Sequence, residues 1–230
     1  MRVSKKQAAE NRERMLKAAA RLIRERGISS VGVDALTEAA GMTHGSLYSQ
    51  FRSKERLVEE AIAYAIAGKS QEVPEVLALS DYVSKYLSPK HRDGPGSGCP
   101  LAAVSGEMSR QSQAVRDRFT AGVRGMIGLL SDRMSSGLKQ RQREEEVIAT
   151  IASLVGALVL ARAVNDRKLS GDILRATKKS WAADRSLQSD VEVTCLSNRF
   201  SFCVLSPALL GYIRRTGAGY SMRQTNCRCG

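Results

Sequence analysis

Apolar side chains recur along the first 184 residues at the three- and four-residue spacing of helices, without the alternation of a strand. Met15, Leu16, Ala19, Leu22 and Ile23 mark one face of a helix over 8–26, which Gly27 stops. Arg12, Arg14, Lys17, Arg21 and Arg24 lie off that face; Arg12 and Arg14, with Lys5 and Lys6, read as a solvated surface and a loose basic arm. A short helix is expected over 33–40, with Asp34 in its first turn, where the helix dipole favours negative charge, and Leu36, Ala39 and Ala40 packing inward. Gly41 permits the left-handed backbone of a tight turn. Thr43 then caps a third helix reaching about Gln50, with Leu47 and Phe51 as core residues. Ser53 caps a fourth, whose apolar stripe is Val58, Ala61, Ile62, Ala65 and Ile66.

Gly68, Lys69 and Ser70 read as a boundary. Beyond it the pattern predicts helices over about 71–87, started or interrupted at Pro74, then 101–111, 114–138, 144–165 and 170–183. Residues 88–100 are rich in Gly and Pro and read as a loop. The chain therefore divides into 1–68, 69–184 and 185–230. The last part holds β-type runs at 191–196 and 200–205 and a Gly-rich basic end. No fold is predicted for it; a disordered tail, or a stretch not selected for folding, is the expectation.

Composition changes this picture little. A hydrophobic share of 43% suffices for a packed core, and 5% aromatics with many Ala and aliphatic residues favour helices. The net charge of +13 suits an anionic partner, but it is spread as +4, +5 and +4 over the three parts and locates no surface. The charged opening lacks a secretory pattern. The uncharged run 147–161 is shorter than the roughly 20 residues of a membrane span, so no membrane partner is expected. Four of five cysteines follow residue 194, which is no disulfide framework; a reduced, cytoplasmic protein is the expectation. His44 and His91 lie near no recognisable nucleophile, and no GxxxxGK loop occurs, so no catalytic residue and no cofactor are assigned. Cys227 and Cys229 lack zinc-site spacing, so no metal is assigned, and Cys99 reads as an inert or merely exposed thiol, with a redox role the lesser alternative.

Helices two and three, joined through Gly41 and Met42, have the dimensions of a helix-turn-helix, in which the second helix enters the major groove. Residues 11–66 resemble the N-terminal domain of TetR-type (tetracycline-repressor-like) regulators. The resemblance runs through 18–23 and Gly27, then Val33 to Gly41, Gly45 to Phe51, and Ser53 to Leu57. It implies an all-α fold: a three-helix DNA-binding head and a C-terminal helical domain for ligand binding and dimerisation. It also implies base-edge contacts from Thr43, His44, Gly45, Ser46 and Tyr48, with Ser49 a lesser candidate, and a phosphate contact from Lys54 at a helix N-terminus. Tyr48 could instead be a packed aromatic, and His44 a solvated residue. One position departs from the family: Gly32 stands where Ser or Thr usually caps helix two.

The resemblance further implies that the last two helices, 144–165 and 170–183, pair with a second subunit; Val147, Ile148, Ile151, Leu154, Val155, Leu158 and Val159 give the first a broad apolar face. A small-molecule site is expected among Tyr82, Tyr86, Met108, Phe119, Val123, Met126 and Ile127, although such residues at helical spacing also make ordinary core. The function implied is a homodimeric, ligand-responsive transcriptional regulator, a repressor on a palindromic double-stranded operator. The alternatives are a non-specific basic nucleic-acid binder or, with least support, a small helical enzyme.

Overall fold

Every regular element is helical over the residues that the computed structural model describes: 4–72, 77–133 and 139–197. In order they are α1 (Lys5–Arg26), α2 (Val33–Ala40), α3 (His44–Phe51), α4 (Lys54–Glu72), α5 (Leu79–Tyr86) and α6 (Pro89–Asp93). A single 3-10 turn at Pro95–Ser97 follows, then α7 (Pro100–Met108), α8 (Gln113–Ser131), α9 (Gln140–Ala163) and α10 (Arg167–Ser197).

Local chemistry explains where these elements depart from expectation. Ser4 caps α1 by accepting the N–H of Gln7, which draws Lys5 and Lys6 into a helix instead of a loose arm. α4 runs through the boundary expected at 68–70 and ends at Glu72. Pro74 lies outside the described residues. The segment 88–100 is not a loop: Ser88 caps α6, and Pro89, Pro95 and Pro100 each open a helical turn. Proline at a first turn removes only an N–H that has no helical partner anyway. α10 continues through 191–196, which the β-type composition argued against; no proline falls within 167–197 to break it. The remainder of the tail, 198–230, is outside the described residues.

Packing joins the N-terminal helices to those that follow. The core under α1–α4 contains Met15, Leu22, Leu36, Leu47, Phe51 and Leu57, and it also takes in Val104 and Met108 of α7 and Val115 of α8. At the α4–α8 crossing Gly122 is required: a Cβ there would stand 2.4 Å from the Ile66 Cδ1 atom. Two further clusters hold α5, α7, α8, α9 and α10 together around Val83, Tyr86, Leu154, Leu158 and Leu174, and around Leu79, Leu130, Val147 and Ile151. α9 has the length and apolar composition of a membrane span, and it packs one side against α7 and α8. Its other side leaves Ile148 51% exposed, with Val159 and Leu160 also open to solvent.

Candidate nucleic-acid interface

Gly41 takes the left-handed conformation (φ +62°) and closes α2, its N–H donating to Glu38 O, while the Met42 N–H donates to Thr37 O. Two residues later Thr43 caps α3: its Oγ1 accepts the Ser46 N–H at 3.3 Å and lies 3.2 Å from Ser46 Oγ. Beneath α3, Leu47 and Phe51 are 0% and 1% exposed, as core residues should be. On the opposite side Tyr48 is 49% exposed. Thr43, His44, Gly45 and Ser49 are exposed, and Ser46 is half-buried. Ser49 Oγ donates back to Ser46 O, which engages part of its bonding capacity. α3 ends abruptly at Arg52, a non-glycine residue at φ +63°, so α4 departs within two residues. Ser53 Oγ caps α4 through the Arg56 N–H, and Lys54 is half-buried in its first turn. All of the predicted contact residues therefore retain solvent-accessible surface, Ser46 and Lys54 the least fully.

Several supporting residues were not foreseen. Arg12 is not merely solvated: its guanidinium lies 4.3 Å over the Phe51 ring, donates to Gln50 O at 2.9 Å and pairs with Glu60 of α4. It thereby ties the end of α3 to α1 and α4. His44 Nε2 lies 2.6 Å from Asp34 Oδ1, linking the first turns of α2 and α3. Gly32 precedes α2 without any side-chain cap, matching the departure noted in the sequence. The α1–α2 turn is held instead from α7, where Glu107 accepts the Ile28 N–H at 3.0 Å and the Ser29 N–H at 2.9 Å. Burial pushes the Glu107 carboxyl up, but these two bonds, with the Ser29 side chain and the charge of Arg110, together hold the group below its ordinary value. The partners are nearly eighty residues apart in sequence, so no local signal could have indicated them.

The predicted effector liners do not form one group. Tyr82, Tyr86 and Met126 belong with Leu154 and Leu158, and Met126 and Ile127 also pack around Leu130 and Val147. Met108 and Phe119 lie in the core of the N-terminal head, and Val123 is half-buried on α8. Ile127 borders an open cleft of about 590 Å³ with Arg124, Ser131, Arg143 and Glu144. A second open cleft, about 450 Å³, is lined by Arg24, Arg92, Arg162 and Val159 and by none of the seven. Behind Tyr86, His91 is locked: its Nδ1 lies 2.8 Å from Tyr86 O and its Nε2 accepts the Cys99 N–H at 2.9 Å. Arg162 donates to the carbonyls of His91 and Arg92. Burial lowers the His91 pKa, against an upward pull from the hydrogen bond with the Tyr86 carbonyl and with smaller help from Arg162 and Lys69. Among the described residues no cluster of His, Cys, Asp or Glu could hold a metal ion.

A capped helix standing out of an all-helical head, set by a left-handed turn on a bracing helix, defines a helix-turn-helix regulator. Residues 15–61 match the family described as bacterial regulatory proteins, tetR family. An uncharacterized HTH-type transcriptional regulator of Mycobacterium tuberculosis is 32% identical over 169 residues, covering 67% of this chain and 86% of that protein. The HTH-type transcriptional repressor NemR of Escherichia coli is 28% identical over 137 residues, 56% of this chain and 69% of the relative. The reduced form of NemR has been solved as a crystal structure; it superposes with a TM-score of 0.62 at 25% identity, covering 74% of this chain and 94% of that one. A TetR-family regulator from Agrobacterium tumefaciens shares the fold, with a TM-score of 0.60 at 19% identity over 75% of this chain and 98% of its own. The chain belongs to the TetR family and is a DNA-binding transcriptional regulator.

Proposed function

We propose that the protein is a homodimeric, effector-responsive repressor that reads a palindromic operator with α3. One observation carries this reading: Thr43, His44, Ser49 and Tyr48 stand on the open side of α3 while Leu47 and Phe51 anchor the other side. Hydroxyls and an imidazole match the donors and acceptors of the major-groove edge, and Tyr48 adds a ring for a thymine methyl. Gly45 and Ser46 complete the base-facing set, Ser49 being the lesser member, and Lys54 at the start of α4 meets a phosphate.

Pairing through α9 and α10 is supported by the apolar side chains left open there, Ile148, Val159 and Leu160 on α9 and Leu169 on α10. Two-fold pairing would set two copies of α3 about 34–36 Å apart, hence a palindromic site. The effector would enter the helical half beside Tyr82, Tyr86, Val123, Met126 and Ile127, with Met108 and Phe119, which pack in the cluster under α1–α4, as lesser candidates. Its binding moves α4, which contacts both α1 and α8, and so changes the separation of the reading helices. Such an effector acts only through unequal affinity for the two states. The repressor sign follows the repressor named in Escherichia coli. A regulator of chromosomal DNA would work in the cytoplasm, and no enzymatic role is proposed for it.

Selection of bound fragments from genomic DNA, followed by footprinting, tests the reading. A two-fold symmetric footprint with half-sites one helical turn apart supports it. Binding without a recurrent sequence favours the non-specific alternative and overturns it.

A further inference from the structure

The pair formed by Asp34 and His44 has no role in holding the core: both side chains are largely solvent-facing, 91% and 56% exposed, yet they meet at 2.6 Å. The contact joins the first turn of the bracing helix α2 to the first residue of the reading helix α3. We propose that Asp34 is a positioning residue for base selection, fixing His44 as a hydrogen-bond acceptor that recognises an amino-bearing base, adenine or cytosine. This inference rests on α3 being the groove helix.

The chemistry is that of a two-nitrogen ring. A neutral imidazole carries one proton, and the nitrogen that donates decides what the other can do. The Asp34 carboxylate accepts only, so it draws the proton to Nε2 and leaves Nδ1 bare. A bare acceptor finds a donor at adenine N6 or cytosine N4 on the major-groove edge, and meets only acceptors at guanine N7 and O6 or thymine O4. Without Asp34 the two tautomers exchange, Nδ1 can donate to guanine as well, and the preference relaxes. The electrostatic alternative has the opposite signature: a carboxylate among phosphates repels DNA of every sequence, so removing it would raise all affinities together.

The test is selection from randomised duplexes by the full-length protein at pH 8.0. Wild type, Asp34→Asn, Asp34→Ala and His44→Ala are compared, with circular dichroism as a control for folding. The position read by His44 is the one whose preference disappears in His44→Ala. At that position wild type should select adenine or cytosine about tenfold over guanine and thymine. Asp34→Asn, whose side-chain carbonyl still accepts from Nε2, should retain this selection; Asp34→Ala should lose it there and nowhere else. Guanine or thymine at that position, an unchanged preference in Asp34→Ala, or a uniform rise in affinity for all sequences would overturn the proposal. So would a His44→Ala variant that alters no position. Tyr48→Ala and Thr43→Ala in the same selection separate the cases: if they still disturb base preference, α3 remains the reading helix although the Asp34 proposal has failed.

Discussion

Glu59 on α4 accepts a 3.0 Å hydrogen bond from Arg118 on α8, tying α8 to the helix that directly follows α3. Glu59 is only 6% exposed and also pairs with Arg56 at 2.6 Å, one turn back on α4. Its neighbour Glu60 carries the connection onward to Arg12, and Arg12 to the carbonyl of Gln50 at the end of α3. A displacement of α8 therefore has a polar route to α3, and beside it an apolar contact with α4 through Ile66 and Gly122.

Arg118→Ala should lower stability by about 1 kcal/mol or less, because the arginine is half exposed and Glu59 keeps Arg56. The larger expected change is functional, a weakened release of DNA by effector. Burial pushes the Glu59 carboxyl up, but the hydrogen bonds from Arg118 and Arg56 prevail and its pKa is lowered. A depressed carboxylate contributes stability that is present above its unfolded value, about 4.3, and is lost as pH falls through the folded value. Urea unfolding at pH 7 and pH 4 should show a larger acid loss in wild type than in Arg118→Ala.

Glu107 deserves a separate substitution because it reaches the head without passing through α4. Glu107→Ala frees the Ile28 and Ser29 N–H groups, and since Ser29 is exposed, water replaces part of the lost bonding. A cost of about 1 kcal/mol in thermal or urea unfolding is expected. Hydrogen exchange should rise at Ile28 and Ser29 first. Unchanged exchange there would show that α7 does not restrain the α1–α2 turn.

His91 supplies a second pH dependence, of related sign. Burial lowers its pKa, and protonation would place a proton on Nε2 where the Cys99 N–H already points. A group with a depressed pKa favours the folded state above its unfolded value, about 6.5 for histidine, and that contribution fades as pH falls below it. The melting temperature of wild type should drop between pH 7 and pH 5, and that of His91→Gln should drop less. Parallel curves for the two proteins would contradict this.

Ile148→Glu places a charge on the open face of α9 without touching the core cluster of Val147 and Ile151. Sedimentation should show wild type as a dimer and the variant as a folded monomer with unchanged helicity. Persistence of the dimer would move the interface elsewhere.

How much of this was legible in the residues depends on how far apart the interacting groups lie. Gly41, Thr43 and Ser53 each act on backbone within three residues, so the turn, the start of α3 and the cap of α4 could be read directly. The periodicity of Leu47 and Phe51 likewise decided which side of α3 stays open. The prolines at 89, 95 and 100 misled because proline signals a break but is also favoured at a first helical turn. Arg12 was read as surface because its partners, Gln50 and Glu60, are distant in sequence. Met108 and Phe119 carry the apolar spacing of a ligand site, but spacing does not say which cluster a helix face will meet; both pack in the one under α1–α4.

The most direct measurement is the ratio of affinities for the selected operator and random DNA, taken across a salt series for wild type, Thr43→Ala and Tyr48→Ala. Wild type should keep a ratio of about 10³ or more once the phosphate contribution is screened. Tyr48→Ala should lose roughly 1–3 kcal/mol of operator binding with random-DNA binding unchanged, and Thr43→Ala a similar amount together with about 1 kcal/mol of cap stability. Operator affinity equal to wild type in both variants, or a wild-type ratio that falls to one as salt rises, would contradict the assignment of α3 as the sequence-reading helix.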